Sequence, residues 1–437
     1  MSANYNNPGM LPVPNPTLSY WQSERHHLDS YRSTEELPSI SDIVVIGAGI
    51  AGVSVVHHLC STPDPPQILL LEARQTCSGA TGRNGGHVKM KTASILGYIA
   101  KYGPASADEY ARFVQDHIYA LKDVVEKEKI ACEFEIRRSY DVFNLESEAR
   151  EVEASFREAL DRGDQWTRDR DLVGPEFAEG LTSVKGARCA VSSPCCSLWP
   201  YKFVTALLER AMAKNASLNV QTETPVLKLD DGSDGVTLVH TPRGVVKAKK
   251  VVFATNAYTA ALLPEYHGII TPYKGTAAHL AAEDGIEPVF PHLSHTYNLE
   301  FGLDPVLETV DYLNPRPDGG IVVGGAKWIY EEKRELWYNT VDDSTLFDPV
   351  IQAGYFDGYM QRNFKGWQDS GSRAESIWTG IMGSTPDGQP HVGKVPGKEN
   401  QWILAGFNGG GNALTFLSAK AVARMVMEGV SLDETGG

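Results

Sequence analysis

The sequence predicts an α/β protein organised around a parallel strand–helix–strand unit, and three observations between residues 42 and 72 predict it. Ile43, Val44, Val45 and Ile46 form a short β-branched apolar run, the pattern of a strand buried on both faces. Gly47, Gly49 and Gly52 follow as GxGxxG, and Ile50, Val53, Val56 and Leu59 then recur at helical spacing. Ile68 to Leu71 make a second apolar strand, which ends in the acid Glu72.

Each part has a physical task. Gly47 lets the chain turn sharply off the strand, Gly49 lets backbone approach a pyrophosphate, and Gly52 lets the helix pack closely on the sheet. The helix start at Ile50 and Ala51 offers unpaired N–H groups and a positive dipole end to phosphates. Glu72 stands where a carboxylate accepts hydrogen bonds from a ribose. A glycine-rich turn alone is weak evidence. With both strands, the helix and the acid in place, it reads as a Rossmann-type dinucleotide site.

The 437 residues suggest two or three compact units with ample chain to bury a core. Their 42% hydrophobic and 22% charged content is ordinary for a soluble globular enzyme. No apolar run approaches bilayer length, so no membrane span is expected. The polar start MSANYNNPGM does not read as a signal peptide, nor the end ETGG as a peroxisomal or prenylation signal. A formal net charge of −15 argues against a nucleic-acid partner and hints faintly at cationic substrates. The six cysteines (60, 77, 132, 189, 195 and 196) show neither a disulfide framework nor zinc-type pairing. Cys195 and Cys196 read as reduced, buried strand residues, with a vicinal redox pair as the alternative. A cytoplasmic protein is expected.

Along the chain, residues 1–41 are rich in Pro, Asn and Ser and read as an irregular arm over the surface, anchored by Tyr20 and Trp21. His26 and His27 lack a partner at ligand spacing, so no metal is expected. After Glu72, glycines 79, 82, 85 and 86 crowd a loop that suits backbone lying against a ligand. Residues 104–128 read as an amphipathic helix, EFEIRR and YDVFNL as two strands, and 146–162 as an acidic helix. A strand near 187–193 leads through Trp199-Pro200 to the helix FVTALLERAMA. Short strands fill 218–255, ending at Val251, Val252 and Phe253. Further strands are expected at 295–301, 308–313 and 320–325, a helix at 347–362, and a last helix from about Gly410 to Glu428.

Four motifs in order, GAGIAG…E, SGATGRNGG, VVFATNA and TPDGQPHVG…GFNGGG, resemble the FAD-dependent D-amino-acid oxidase/glycine oxidase/sarcosine oxidase superfamily, in particular its γ-glutamylputrescine oxidase-like branch. The likeness runs from about Tyr20 to Glu428. It implies a two-domain α+β architecture: a Rossmann-type FAD-binding domain from residues 1–92, 188–268 and 376–437, and an antiparallel-sheet substrate domain from 93–187 and 269–375. The flavin would lie where the two meet.

The same resemblance implies residue roles. Gly47, Gly49 and Gly52 would hold the pyrophosphate and Glu72 the ribose, with Ala73 and Arg74 by the adenosine. Ser78, Gly79, Ala80, Thr81, Arg83, Asn84, Gly85, Gly86 and His87 would line phosphate, ribityl and flavin ring. Val226 would offer its backbone to adenine, and Ala254, Thr255 and Asn256 would close over the nucleotide. Gly406, Phe407, Asn408, Gly409, Gly410 and Gly411 would aim N–H groups at the pyrimidine end of the flavin, where reduction places negative charge.

The implied reaction oxidises a primary or secondary amine by hydride transfer to FAD, giving an imine and, with molecular oxygen, hydrogen peroxide. A dehydrogenase with another acceptor is the alternative. Where amino-acid and glycine oxidases carry a carboxylate-binding arginine, this chain has Met382, which favours an amine without an adjacent carboxylate. Where some relatives attach FAD through cysteine, it has Gly380, so non-covalent FAD is expected. His87 is read as lining the ligand rather than as an attachment point. Lys327 falls where sarcosine oxidase-like enzymes keep an oxygen-activating lysine, the competing reading being a solvated strand-end lysine. Tyr312 and His87 are the other catalytic candidates, each with a core or rim position as its alternative. The expected partners are a small amine and oxygen, for a monomer or small homo-oligomer.

Overall fold

The first strand, Ile40–Ile46, forms because its alternate residues bury on opposite sides of one sheet. Ile43 and Val45 pack toward the helix Ile50–Cys60, while Val44 and Ile46 join Leu69, Leu71 and Phe253 on the other face. The computed structural model describes residues 10–282, 289, 293–302 and 309–436. Within it the first strand pairs in parallel with Ile68–Leu71 on one side and Gly244–Phe253 on the other. Leu218–Gln221 extends the sheet beyond Ile68–Leu71, again in parallel, and Gln401–Ala405 and His391–Lys394 extend it beyond Gly244–Phe253.

Three helices, Ile50–Cys60, Pro200–Lys214 and Gly411–Glu428, cover one face of this sheet. The antiparallel strands Lys228–Asp231 and Thr237–Thr241 continue from Gly244–Phe253. The parallel strands end together, so their carboxyl ends form one rim.

A second sheet runs in the order Arg373–Ser384, Thr271–Ala281, Ile321–Gly325, Val310–Pro315, Thr296–Glu300, Glu135–Phe143, Cys189–Ser197, His87–Val88, with Asp171–Val173 on Cys189–Ser197. Its pairs are antiparallel except Thr296–Glu300 with Glu135–Phe143. This matches the expected mixed architecture of a parallel nucleotide sheet and a mainly antiparallel one. The pairing differs from the expected domain division at three strands. His87–Val88, Cys189–Ser197 and part of Arg373–Ser384 fall in segments assigned to the nucleotide domain, yet all belong to the second sheet. Cys189–Ser197 has its full length hydrogen-bonded to Glu135–Phe143.

Several local expectations change. EFEIRR and YDVFNL are one continuous strand, because Arg137 and Arg138 find partners beside it: Arg138 bonds Ser192 Oγ and Asp171, and Arg137 bonds Pro315 O. The helix expected at 347–362 is two short ones, Asp348–Gln352 and Tyr359–Asn363, separated where Gly354 and Gly358 take positive φ. The arm is irregular and packs over the surface as expected, pinned by a few buried side chains. Trp21 and Leu28 are fully buried, and Trp21 bonds Asn84 O through its indole N–H. All six cysteines are free and buried.

Candidate active site

The rim of the parallel sheet opens onto a cavity of about 680 Å³. Gly47 leaves the first strand at φ 106°, its N–H on Leu71 O at 2.7 Å. A Cβ there would stand 2.6 Å from Ala254 O, and one at Gly52 would stand 1.8 Å from Gly47 O. Both positions therefore demand glycine. At Gly49 a Cβ would meet only the Thr81 hydroxyl, at 3.0 Å, the same oxygen that accepts the Ile50 N–H. Glu72 is held rigidly, Oε2 accepting from Ala48 N–H at 2.7 Å and Oε1 from Arg74 N–H at 2.8 Å.

The glycine-rich loop is fastened from behind. Arg74 makes a bidentate pair with the fully buried Asp343, at 2.9 and 3.1 Å. Arg83 lies 3.6 Å from the same carboxylate and donates to Ser78 O, Thr379 O and Thr17 O. Burial opposes both charges. For Arg74 the pairing with Asp343 more than offsets it and the pKa rises. For Arg83, burial dominates and brings it down to about 10. Arg74 touches the cavity, but its guanidinium is committed to Asp343 rather than aimed at an adenosine.

The start of the final helix is shaped by three asparagines. Asn256, at φ 42°, accepts the N–H groups of Gly406 and Phe407 through Oδ1. Asn408, also in the left-handed region, accepts from Thr385 N–H at 2.8 Å. Asn412 exchanges amide hydrogen bonds with Asn84, tying this turn to the glycine-rich loop.

Nearly all the residues expected to hold FAD line this one cavity. Gly47, Gly49, Ile50, Ala51, Glu72, Ala73 and Arg74 do so on the nucleotide side, and Val226, Ala254, Thr255 and Asn256 above them. Gly79, Ala80, Thr81, Arg83, Asn84 and Gly85 line it from the loop, Gly380 from the second sheet, and Phe407 to Gly411 from the last helix start. Gly52, Ser78, Gly86 and Gly406 stand behind the wall as supports. A Cβ at Gly86, for instance, would meet the Trp21 ring at 2.6 Å. The residues fit an extended dinucleotide: one cavity joins an acid, a glycine turn at a helix start and a second, glycine-rich helix start.

The second sheet supplies the opposite wall. His87 and Tyr312 meet edge-on, ring centroids 5.4 Å apart, and a Cβ on Gly85 would touch both. Burial drives the His87 pKa well below its ordinary value, with Lys89 and Lys91 acting in the same direction, so the imidazole is neutral. Its Nδ1 is buried without a hydrogen-bond partner. Burial and the Asp311 charge raise the Tyr312 pKa. Lys327 lines the cavity but is not a lone buried ammonium, since it pairs with Glu331 at 3.3 Å and lies over the Trp337 ring. It follows Ala326, a left-handed residue whose N–H Asp311 accepts at 2.8 Å. Met382 lines the cavity at the position noted in the sequence.

Four contributors escaped the sequence reading. Asp343 gives no signal, lying 269 positions from Arg74. Asn412 directly follows the glycine run that was read. Lys89 shares the cavity with His87, and the period of two in HVK was the available clue. Lys274, 5% exposed, lines the cavity and bonds Thr345 Oγ1.

No cysteine lines the cavity among the described residues. Away from it, His26, His27 and Glu209 bring three potential ligand atoms within 4.8 Å of one another. His26 Nδ1 accepts the Leu28 N–H, however, which places the ring proton on Nε2 and leaves no lone pair for an ion.

A family model described as FAD dependent oxidoreductase matches residues 42–425. The chain is 22% identical over 393 residues to glycine oxidase of Pseudomonas aeruginosa, covering 88% of this chain and 94% of that protein. It is 22% identical over 422 residues to gamma-glutamylputrescine oxidoreductase of Escherichia coli, covering 94% and 89%. Among solved structures, glycine oxidase from Geobacillus kaustophilus superposes with a TM-score of 0.69 at 17% identity, over 89% of this chain and 95% of that one. L-proline dehydrogenase from P. horikoshii does so with a TM-score of 0.68 at 19% identity, over 90% and 95%.

Proposed function

The chain belongs to the FAD-dependent oxidoreductase family, and from that premise we propose that it oxidises the C–N bond of a primary or secondary amine, with oxygen as the electron acceptor. Bound FAD supplies the two-electron chemistry, accepting hydride from the carbon beside the nitrogen. The protein's part is binding, desolvation and charge. Gly47 to Ala51 would receive the pyrophosphate, Glu72 the ribose, and the Phe407–Gly411 helix start would face the negative charge of the reduced ring. Non-covalent binding is part of this proposal, supported by a wall without cysteine among the described residues and by a His87 ring packed edge-on against Tyr312. His87, neutral and pressed against Tyr312, shapes the substrate side without adding charge.

The observation that carries this reading is the polarity of the cavity wall. Lys89, Lys91, Lys274 and Lys327 line it, while Glu72 at the nucleotide end is the one acid among the described lining residues. An ammonium gains nothing in such surroundings, so a bound amine loses its proton more readily. The neutral amine is the form whose neighbouring C–H can leave as hydride.

The relatives named above act, by their names, on glycine, proline or gamma-glutamylputrescine, which supports a C–N donor for this chain. An anaerobic screen of amines, polyamines and N-methyl amino acids tests the proposal through bleaching of the flavin. If dithionite bleaches it and no amine does, the reading fails. A second reading, a dehydrogenase passing electrons to another acceptor, gains support from the Lys327–Glu331 pair, which tempers the cation expected to assist oxygen. Hydrogen peroxide formed in air separates the two. No helix among the described residues is long and apolar enough to cross a membrane, and six free, buried thiols suit the reducing cytoplasm.

A further inference from the structure

We propose that Lys89 determines substrate specificity by receiving a carboxylate carried by the amine, several carbons away from the bond that is oxidised. The inference deepens the amine reading above and rests on it for the identity of the reacting end.

Lys89 directly follows the short strand His87–Val88. Positions two apart in extended chain share a face, so the Lys89 and His87 side chains both reach the cavity. Lys89 Nζ donates to Ser139 Oγ at 2.9 Å, and that hydroxyl donates onward to Thr296 O at 3.2 Å. Ser139 is fully buried. The ammonium is thus fixed by one neutral acceptor, with two N–H groups left over.

No carboxylate stands in ion-pair range of Lys89 among the described residues. Asp141, the acid that most favours the Lys89 charge through space, has its oxygens held by other donors: Oδ2 accepts from Thr92 N–H and Thr92 Oγ1 at 2.6 and 2.7 Å, and Oδ1 from Asn298 Nδ2 at 2.6 Å. Burial is the largest influence and opposes the charge, as Lys91 does, while Asp141, Cys195 and Glu300 favour it through space. The balance brings the pKa down to about 8, which leaves a cation at neutral pH.

A buried, positioned cation with unused N–H groups and no carboxylate in contact with it, among the described residues, gains when a ligand brings an anion to it. Net charge points the other way, since the whole chain carries −15. The cavity is a local inversion of that field. Met382 lines the cavity where the resemblance implies a carboxylate-binding arginine in amino-acid oxidases, so a carboxylate adjacent to the nitrogen finds no bidentate partner there. Lys89 lies roughly 6–7 Å along the chain from His87, two residues of extended rise. The matching ligand is an amine whose acid group lies several carbons from the reacting nitrogen, such as an ω-amino acid.

The test uses the purified flavoprotein and two five-carbon probes, glutarate and the neutral 1,5-pentanediol, in titration calorimetry. Wild-type protein is expected to prefer glutarate. Lys89→Met should weaken glutarate by about tenfold or more while leaving the diol unchanged, as for loss of a buried charge partner. Lys89→Arg, which keeps the charge, should stay within about threefold of wild type. Equal glutarate affinity in wild type and Lys89→Met, or no wild-type preference for the acid, overturns the proposal. Unchanged flavin content and melting temperature in Lys89→Arg exclude a folding artefact. The amine reading fails separately: Lys89-dependent glutarate binding without flavin bleaching by any amine keeps the subsite and removes the reaction.

Discussion

The two walls of the cavity are built by different means. The nucleotide wall is mostly backbone: Gly47, Gly52 and the Phe407–Gly411 turn act through main-chain shape, Glu72 is its one acid among the described lining residues, and the Arg74 and Arg83 charges are tied back to Asp343. The opposite wall is side chain: His87, Tyr312, Lys89, Lys274 and Lys327 reach in from four strands or their ends. Backbone geometry ties function to glycines at fixed spacing, which a reader of sequence can recognise. Side-chain convergence depends on register between distant strands, which no local pattern records.

The first way to break this comparison is Gly52→Val. The added atoms collide with Gly47 O, a backbone atom that cannot step aside. We expect no flavin in the purified protein and loss of several kcal/mol of stability. Stoichiometric flavin in a folded Gly52→Val would show that the close helix approach is dispensable. Gly49→Val should do less harm to the fold, since the Thr81 side chain can rotate, yet still lose FAD by filling the approach to the phosphates.

Asp343→Ala comes next. It leaves Arg74 and Arg83 buried without their shared anion, and removal of one member of a buried ionic cluster costs about 3–5 kcal/mol. Thermal unfolding should drop sharply, and flavin should dissociate before global unfolding, because the glycine-rich loop loses its fastening. A loss under about 1 kcal/mol would mean the arginines find water instead.

Acid should single out the nucleotide half. Behind it, His57, His58 and His117 crowd around Phe416, and burial lowers their pKa values to about 4, 3 and 3. They are neutral when folded and titrate near 6.5 when unfolded. The unfolded state therefore gains protons first, and stability is lost as pH falls below about 6.5, by roughly 1–2 kcal/mol per histidine at pH 5. His117→Phe should flatten the denaturation midpoint against pH over that window. An unchanged slope would place the acid sensitivity elsewhere.

Two smaller effects sharpen the contrast. Lys327→Met should slow reoxidation by air while leaving anaerobic flavin reduction nearly intact, and unchanged stopped-flow reoxidation would remove Lys327 from the oxygen step. Asn412→Ala loses the reciprocal amide pair with Asn84 and should cost about 1 kcal/mol, read from chemical denaturation.

The legibility of the chain follows the same division. The βαβ unit, the long helix at 104–128 and the last helix follow from periodicity and glycine punctuation, while most of the residues that line the cavity were implied by the family resemblance. What was missed has a common cause. Arg137 and Arg138 looked like a break between strands because their lateral partners lie on other segments. The arm was legible as a surface segment anchored at Tyr20 and Trp21, but nothing in YWQ says that the Trp21 ring will fill a space beside Gly86. Asp343 is an acid like many others until two arginines from the far side of the sequence close on it.

The first strand has one further consequence, in time rather than in space. Its partner on one side, Ile68–Leu71, emerges from the ribosome almost at once, but its partner on the other, Gly244–Phe253, is made some two hundred residues later. At ordinary translation speeds that is a wait of roughly 10–40 s. Through that interval a fully apolar edge, Val44 to Ile46, stands unpaired. Newly made chain must be shielded there, and yield at high expression should depend more on chaperone supply than on the finished molecule's melting temperature.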